Sequence, residues 1–495
     1  MSRSARAERP DRERLVTMFT AALDAHKAGH FEEAKNRYLK ILAIDVRHAP
    51  SLFGLGTIAQ HAGSFDVAEK MMQRALAVDH ERSEYHFALG IALQAQGKLR
   101  DALAAFRSGL QRKPDHRLAR FRVGNLLQLE GKLDEARANY EQILQADPGS
   151  HDAEFNIGNI CRLQRNFTQA RVHYNEALRL QSESADAQWN LGLLDLLEGD
   201  YASGWPRYEA RHRRPTPNLR AFPQPQWNGG ALNGARILLH AEQGLGDTLQ
   251  FLRYVPMVVA TGARVLLDVP KEIHRLAAEI EGISKVLATG DSLPEFEWQC
   301  PLMSLPLAFQ TTLDSIPARA PYLRVPEEAR QTAEKRSWPE SGLRVGLVWA
   351  ATTHQFEDSD RSIPVNLFEP ILSSPGIHFF SLQVGPPAKQ LESLRNSVTD
   401  LREAIADFAD TAALIESLDL VITVDTSVAH LAGALAKPTW ILLPFSSEWR
   451  WLTNRSDSPW YPTVRLFRQH QPRNWHSVLE QVLVEIEALA RQSTS

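Results

Sequence analysis

The chain has 495 residues, 55 Lys and Arg against 59 Asp and Glu for a formal net charge of −4, and 43% hydrophobic residues. Charge this small and mixed gives no basic footprint for nucleic acid or an anionic membrane, and the length implies about three domains at roughly 150 residues each. Cys161 and Cys300 offer neither a disulfide framework nor a zinc site, and no apolar run approaches the roughly 18 residues of a membrane span, so a reduced, cytoplasmic protein is expected.

Residues 1–14 read as a charged tail. From there to about residue 214 the sequence repeats: Gly56, Gly90, Gly124, Gly158 and Gly192 recur every 34 residues, and so do Ala34, Ala68, Ala102, Ala136 and Ala170. Tyr38, Phe106, Tyr140 and Tyr174 each follow one of these alanines by four positions, and Pro114 and Pro148 end second helices. This register resembles the tetratricopeptide repeat, in which stacked helical hairpins bury faces that one hairpin cannot. About six repeats fit residues 15–214, with Ala22 replacing the glycine of the first and Gly204 the alanine of the last. The resemblance implies a groove that holds a protein or peptide. Asn156 and Asn190 share one repeat position there, as amides for an extended peptide or as groups satisfied within the solenoid.

Arg211 to Gln226, basic and proline-rich, reads as an exit linker. An α/β pattern follows over 215–330: strands at Arg236–His240, Ala263–Val269 and Ser284–Ala288, with helices at Thr248–Val259 and Ile273–Ile280. The proline-bearing stretch 312–341 leads to a second α/β unit over 331–495. Its strands are Arg344–Ala350, Phe379–Gln383, Leu418–Thr423 and Thr439–Leu443, and a last helix, Trp475–Ala490, either closes this unit or braces the other. Alternating strands and helices make both sheets parallel. Ligands of such sheets bind at the strand ends.

Two stretches lie at those ends. Gly244-Leu245-Gly246-Asp247 joins a strand to a helix, its glycines allowing close approach to the backbone, and Asp247 is either a carboxylate in the cleft or a helix cap. A third glycine, needed for a dinucleotide fingerprint, is missing. Asp425-Thr426-Ser427 stands where a strand turns into a short alanine-rich helix, whose positive end favours anions, and His430 falls on the same face. The alternative is a capped helix with a core histidine. His240, Glu242 and Gln243 are second-rank candidates for acceptor contact. Asp358-Ser359-Asp360, with His354 and Glu357 near, reads as a solvated acidic loop rather than a metal site. Trp449, Trp451, Trp460 and Tyr461 read as packing beneath a loop.

From about Trp227 onward the chain resembles heptosyltransferase-type glycosyltransferases, through GLGD with the QFLRYVP helix, Arg361-Ser362-Ile363-Pro364, and DTSVAHLAGALAKPTWILL. With the repeats it looks like bacterial TPR–glycosyltransferase fusions and, more loosely, protein O-GlcNAc transferases. The resemblance implies an α plus α/β architecture, a TPR solenoid followed by the two Rossmann-like domains of a GT-B fold. It implies Asp247 as general base, and Arg361, Asp425, Thr426, Ser427 and His430 as the binders of a nucleotide-diphosphate sugar, with inversion and without a metal or other cofactor. Ser427 stands where the family usually has glycine and Arg361 where it often has lysine, and no residue matches the family's ribose-binding acid, so the donor stays open. Two other readings remain: a TPR scaffold with a non-catalytic transferase-like domain, and a nucleotide-sugar epimerase of GT-B fold.

Overall fold

The computed structural model of the chain describes residues 3–214, 220–351, 360–394 and 396–493. They form two compact units, residues 1–162 with 168–182, and residues 163–167 with 183–495.

Helical hairpins make the first unit: α1 Arg3–Lys27 with α2 Phe31–Ile44, α3 Ala49–His61 with α4 Phe65–Val78, α5 Ser83–Ala95 with α6 Leu99–Arg112, α7 Arg117–Leu129 with α8 Leu133–Ala146, and α9 His151–Leu163 with α10 Phe167–Leu180. The 34-residue register has a steric cause. A methyl group on Gly90, Gly124 or Gly158 would stand 2.7, 2.7 or 2.6 Å from the ring of Phe106, Tyr140 or Tyr174, so each glycine is the slot for its own repeat's aromatic. Ala34, Ala68, Ala102, Ala136 and Ala170 are fully buried, the small residues that let neighbouring helices close. A third series went unread: Gly29, Gly63, Gly97, Gly131 and Gly199 turn the chain with φ of 73–87°, and Arg165 holds the same place at φ 58°. The first helix begins at Arg3, so residues 3–14 are helix rather than tail.

The sixth hairpin, α11 Ala185–Glu198 with α12 Tyr201–Tyr208, belongs to the second unit. This moves the expected boundary at residue 214 to Glu183, and the reason is burial. Trp205 and Tyr208 are 2% exposed, the Trp205 indole donates to the Thr311 carbonyl at 2.9 Å, and the Trp460 indole donates to Tyr201 Oη at 3.0 Å. Arg211, read as linker, is 3% exposed and donates to Glu242 and Ser304, both at 2.7 Å. Residues 215–219 of that linker lie outside the described residues.

Two parallel sheets follow. In the first, β1 Arg236–His240, β2 Arg264–Val269, β3 Ile283–Ala288 and β4 Trp298–Pro301 lie in the order β3-β2-β1-β4. In the second, β5 Leu343–Val348, β6 Ile377–Ser381, β7 Val398–Asp400, β8 Leu420–Val424, β9 Thr439–Leu443 and β10 Val464–Arg468 lie in the order β10-β9-β8-β5-β6-β7. Each sheet starts in its middle and winds outward both ways. The strand order therefore reverses between β1 and β4 and between β5 and β8, the places where open α/β sheets leave a crevice. The expected Thr248–Val259 helix is two, Leu245–Phe251 and Val255–Ala260, broken by a 3-10 turn ahead of Pro256. Helix Glu327–Glu334 already serves the second half, where Arg330 pairs with Glu416 at 2.9 Å, so the division expected at residue 330 lies earlier. The last helix, His476–Ser493, closes its own half: Val478, Leu479, Val482 and Ile486 join the core with Val345, Leu347, Ile422 and Leu442.

Candidate active site

The first motif starts the Leu245–Phe251 helix directly beyond β1. Asp247 does both things the sequence allowed. Its Oδ2 accepts the Gly244 N–H at 2.9 Å, which caps the helix, and its Oδ1 accepts from Arg450 Nη2. Burial raises the Asp247 carboxyl, against the pull of Arg450 and with help from Glu448 and Glu242. The proton-accepting form is thus less stable than in water, which makes it a stronger base. Gly246 has a different role from the one expected. A methyl there would lie 2.8 Å from His430 Cδ2, so the missing side chain admits the other half's histidine rather than a substrate.

The second motif stands at the end of β8, beside the switch from β5 to β8. Thr426 is the N-cap of the Ser427–Ala434 helix without capping it through its side chain, which instead meets Thr423 Oγ1 at 3.2 Å. Thr426 and Ser427 are half-buried. Asp425 is 3% exposed, and its Oδ2 has no hydrogen-bond partner among the described residues. Burial pushes its carboxyl up, Glu448 adds to the rise, and Arg361 opposes it. His430 is buried, with Nδ1 on Tyr461 Oη at 2.8 Å and its ring stacked 5.5 Å from that of Trp451. Burial, together with Arg450, Arg253 and Arg361, holds it well below its ordinary pKa, so it is neutral. It can offer an anion a hydrogen bond but no charge. Arg361, 26% exposed, reaches the Asp425 carbonyl at 3.5 Å and Glu448 at 3.8 Å.

Between the motifs sit residues the sequence reading missed. Arg450 is 5% exposed; besides Asp247 it donates to Gln250 Oε1 at 2.6 Å and to Glu448 Oε2 at 2.5 Å, and it lies over the Trp449 ring. Asp247, Arg450, Glu448 and Arg361 thus form one alternating row of charges. Arg253, from the QFLRYVP helix, is buried over the rings of Tyr322, Trp460 and Tyr461 and donates to the Trp460 carbonyl at 2.7 Å. The only available signal was a charge set inside the aromatic run 449–461. Those aromatics do pack, as expected: Trp449 meets Trp205 and Phe251, and Trp451 and Tyr461 back His430.

Apart from Gly244, whose N–H is bonded to Asp247, the remaining candidates lie outside this row. His240 is 3% exposed, bound to Gln299 at 3.0 Å and kept neutral by burial; Glu242 is spent on Arg211; Gln243 and Gly244 are exposed. Asn156 donates to the Asp152 carbonyl of its own helix at 2.7 Å, and Asn190 is buried in the second unit. His354, Glu357, Asp358 and Ser359 lie outside the described residues, while Asp360 accepts from Arg473 at 3.2 Å. Among the described residues no cluster of three metal-ligating side chains occurs, and no helix is long and apolar enough to cross a membrane.

A helical repeat array followed by two parallel Rossmann-like sheets, with charged motifs gathered at their strand ends, is the architecture of a tetratricopeptide-repeat solenoid joined to a GT-B-like pair of α/β domains. Family profiles agree: tetratricopeptide repeats match residues 87–151 and 158–196, and glycosyltransferase family 9 (heptosyltransferase) matches residues 384–481. That last match contains Asp425–His430 and Arg450 but neither Asp247 nor Arg361. The chain is similar to Protein FlbA of Caulobacter vibrioides, 27% identical over 326 residues, which are 60% of this chain and 54% of FlbA. Among solved structures it is similar to YrrB, described as a TPR protein with an unusual peptide-binding site (24% identity, 39% of this chain and 99% of that one, TM-score 0.35), and to MamA (21% identity, 33% and 96%, TM-score 0.32).

Proposed function

We propose that the protein is an inverting glycosyltransferase that moves a sugar from a nucleotide-diphosphate sugar to an acceptor hydroxyl, without a metal ion, and that its repeats recruit a protein or peptide acceptor. The observation that carries this reading is the convergence of Asp247 with Arg361, Asp425 and His430 through Arg450 and Glu448, from opposite halves of the fold. Asp247 takes the acceptor's proton as its oxygen attacks the anomeric carbon. The bond from that carbon to the diphosphate breaks, and the nucleoside diphosphate leaves with the electron pair. Arg361, the open end of the Ser427–Ala434 helix and the neutral His430 receive the charge that develops on the leaving group. A raised Asp247 carboxyl suits the base, since its carboxylate binds a proton more firmly than that of a solvated aspartate. Thermal-shift measurements of the full chain against a panel of nucleotide sugars test the proposal. Stabilisation by one base and sugar identifies the donor; no response to any of them sinks the transferase reading in favour of a scaffold.

A further inference from the structure

Arg450 is unlike Arg361, the cation that the sequence motifs offered. It is almost fully buried, it comes from an aromatic loop rather than a recognised motif, and both halves grip it: Asp247 and Gln250 from one side, Glu448 from the other. Glu448 also lies 3.8 Å from Arg361, so one carboxylate stands between two guanidinium groups. That carboxylate is 44% exposed at its side chain, and it can leave for water at little desolvation cost. Two guanidinium groups held apart by an exposed carboxylate are a site shaped for an anion of higher charge. A diphosphate presents several oxygens in the bidentate geometry that arginine prefers.

We propose that Arg450 is a second diphosphate-binding cation, with Glu448 as the placeholder that the incoming diphosphate displaces from both Arg450 and Arg361. The inference rests on the donor-site reading above and adds a residue to it. Loss of Glu448 does not strand Arg450, because Asp247 keeps it paired. Among the groups that act most strongly on Asp247, Arg450 and the Gly244 N–H favour its carboxylate, and Glu448 and Glu242 oppose it. Drawing Arg450 toward phosphate therefore removes the main charge that weakens Asp247 as a base, and it does so when the donor is in place.

Calorimetry on the full chain, with UDP, GDP, ADP, CDP and inorganic pyrophosphate as probes, tests this. Glu448→Gln is expected to tighten the best probe several-fold, and Arg450→Gln to weaken it about 10- to 100-fold, as for a lost charged contact. The gain from Glu448→Gln should largely disappear in an Arg450→Gln background. Arg450→Lys should recover part of the loss. A structural role alone would not make the Glu448 variant bind more tightly. If that gain survives intact with Arg450→Gln and vanishes with Arg361→Gln, Arg361 is the sole phosphate cation and the proposal falls. Should Arg450→Gln fail to fold, Glu448→Gln decides alone, and unchanged or weaker binding overturns the idea. If the wild-type chain binds none of the five probes, the donor reading itself falls and takes this inference with it.

Discussion

Gly246 and His430 meet across the two halves of the α/β module so closely that a methyl group on Gly246 would stand 2.8 Å from His430 Cδ2. The GLGD turn and the DTSVAH helix are therefore one packed joint, and the glycine is fixed by the histidine opposite. Gly246→Ala is expected to force that joint open and to destabilise the protein by about 1–3 kcal/mol, the usual cost of overpacking. Nucleoside diphosphate binding should weaken with it, because His430 cannot move without disturbing its bond to Tyr461. An alanine variant with wild-type melting temperature and affinity would show that the joint is loose.

Asp247→Asn keeps the shape of the side chain and an acceptor for the Gly244 N–H. Turnover should fall by roughly 10²–10⁴, as for loss of a general base, while nucleoside diphosphate binding is retained. Steady-state rates with the donor identified by thermal shift check this. Full activity would leave Asp247 as a helix cap and ion-pair partner only.

Arg361→Ala removes a charged group from the edge of the same site without emptying a core. The expected loss of nucleoside diphosphate affinity is about 1.5–3 kcal/mol, read by calorimetry. No change would place the diphosphate elsewhere.

Burial, chiefly, raises the Asp425 carboxyl from its ordinary 3.8 to about 7. The folded protein therefore holds a proton that the unfolded chain releases, and the stability this contributes is complete below the unfolded pKa and is lost as pH rises through about 7. Asp425→Asn removes that dependence. Its melting temperature relative to wild type should climb between pH 5 and pH 8, and its diphosphate affinity should lack the decline that an ionised Asp425 causes at the upper end. A difference that stays flat with pH would mean that Asp425 titrates normally.

Truncation should respect Glu183 rather than residue 215. A chain starting at Glu183 retains Trp205, Tyr208 and Arg211 and is expected to fold and bind nucleoside diphosphate. A chain starting at Pro215 strips the cover from Trp449 and Trp460 and leaves Glu242 buried without Arg211. Loss of a buried partner of this kind alone costs about 3–5 kcal/mol. Circular dichroism and thermal unfolding of the two fragments separate these outcomes, and equal stability would return the sixth hairpin to the solenoid.

The repeats were legible because stacking imposes one spacing on every glycine slot and every alanine. The glycine turns share that spacing but escaped notice, since Arg165 interrupts them where its side chain is occupied with Phe445 and Asn454. Central strands such as β8 and β9 read clearly as unbroken apolar runs, whereas β4 and β7 span only four and three residues, too few to show a run, and β10 is interrupted by Arg465 and Arg468. Asp247, Arg361 and the Asp425–His430 segment carried local motifs. Arg450 did not: its partner Asp247 is 203 positions away, and nothing local marks an arginine between two tryptophans as a neighbour of a carboxylate.

The seam at Glu183 falls inside the repeat array rather than after it, and this sets what duplication can do to the gene. Copying or deleting a 34-residue unit ahead of the α9–α10 hairpin changes only the number of hairpins, and the contacts of Arg165, Trp205, Tyr208 and Arg211 survive. The sixth hairpin has no such freedom, since its aromatic face is written in the 449–460 loop, and Arg211 just after it in Glu242 and the Leu302–Ser304 turn. Relatives with longer or shorter arrays are thus expected to vary ahead of this hairpin and keep its aromatic face unchanged, and a collection in which the last hairpin is the one gained or lost would contradict that.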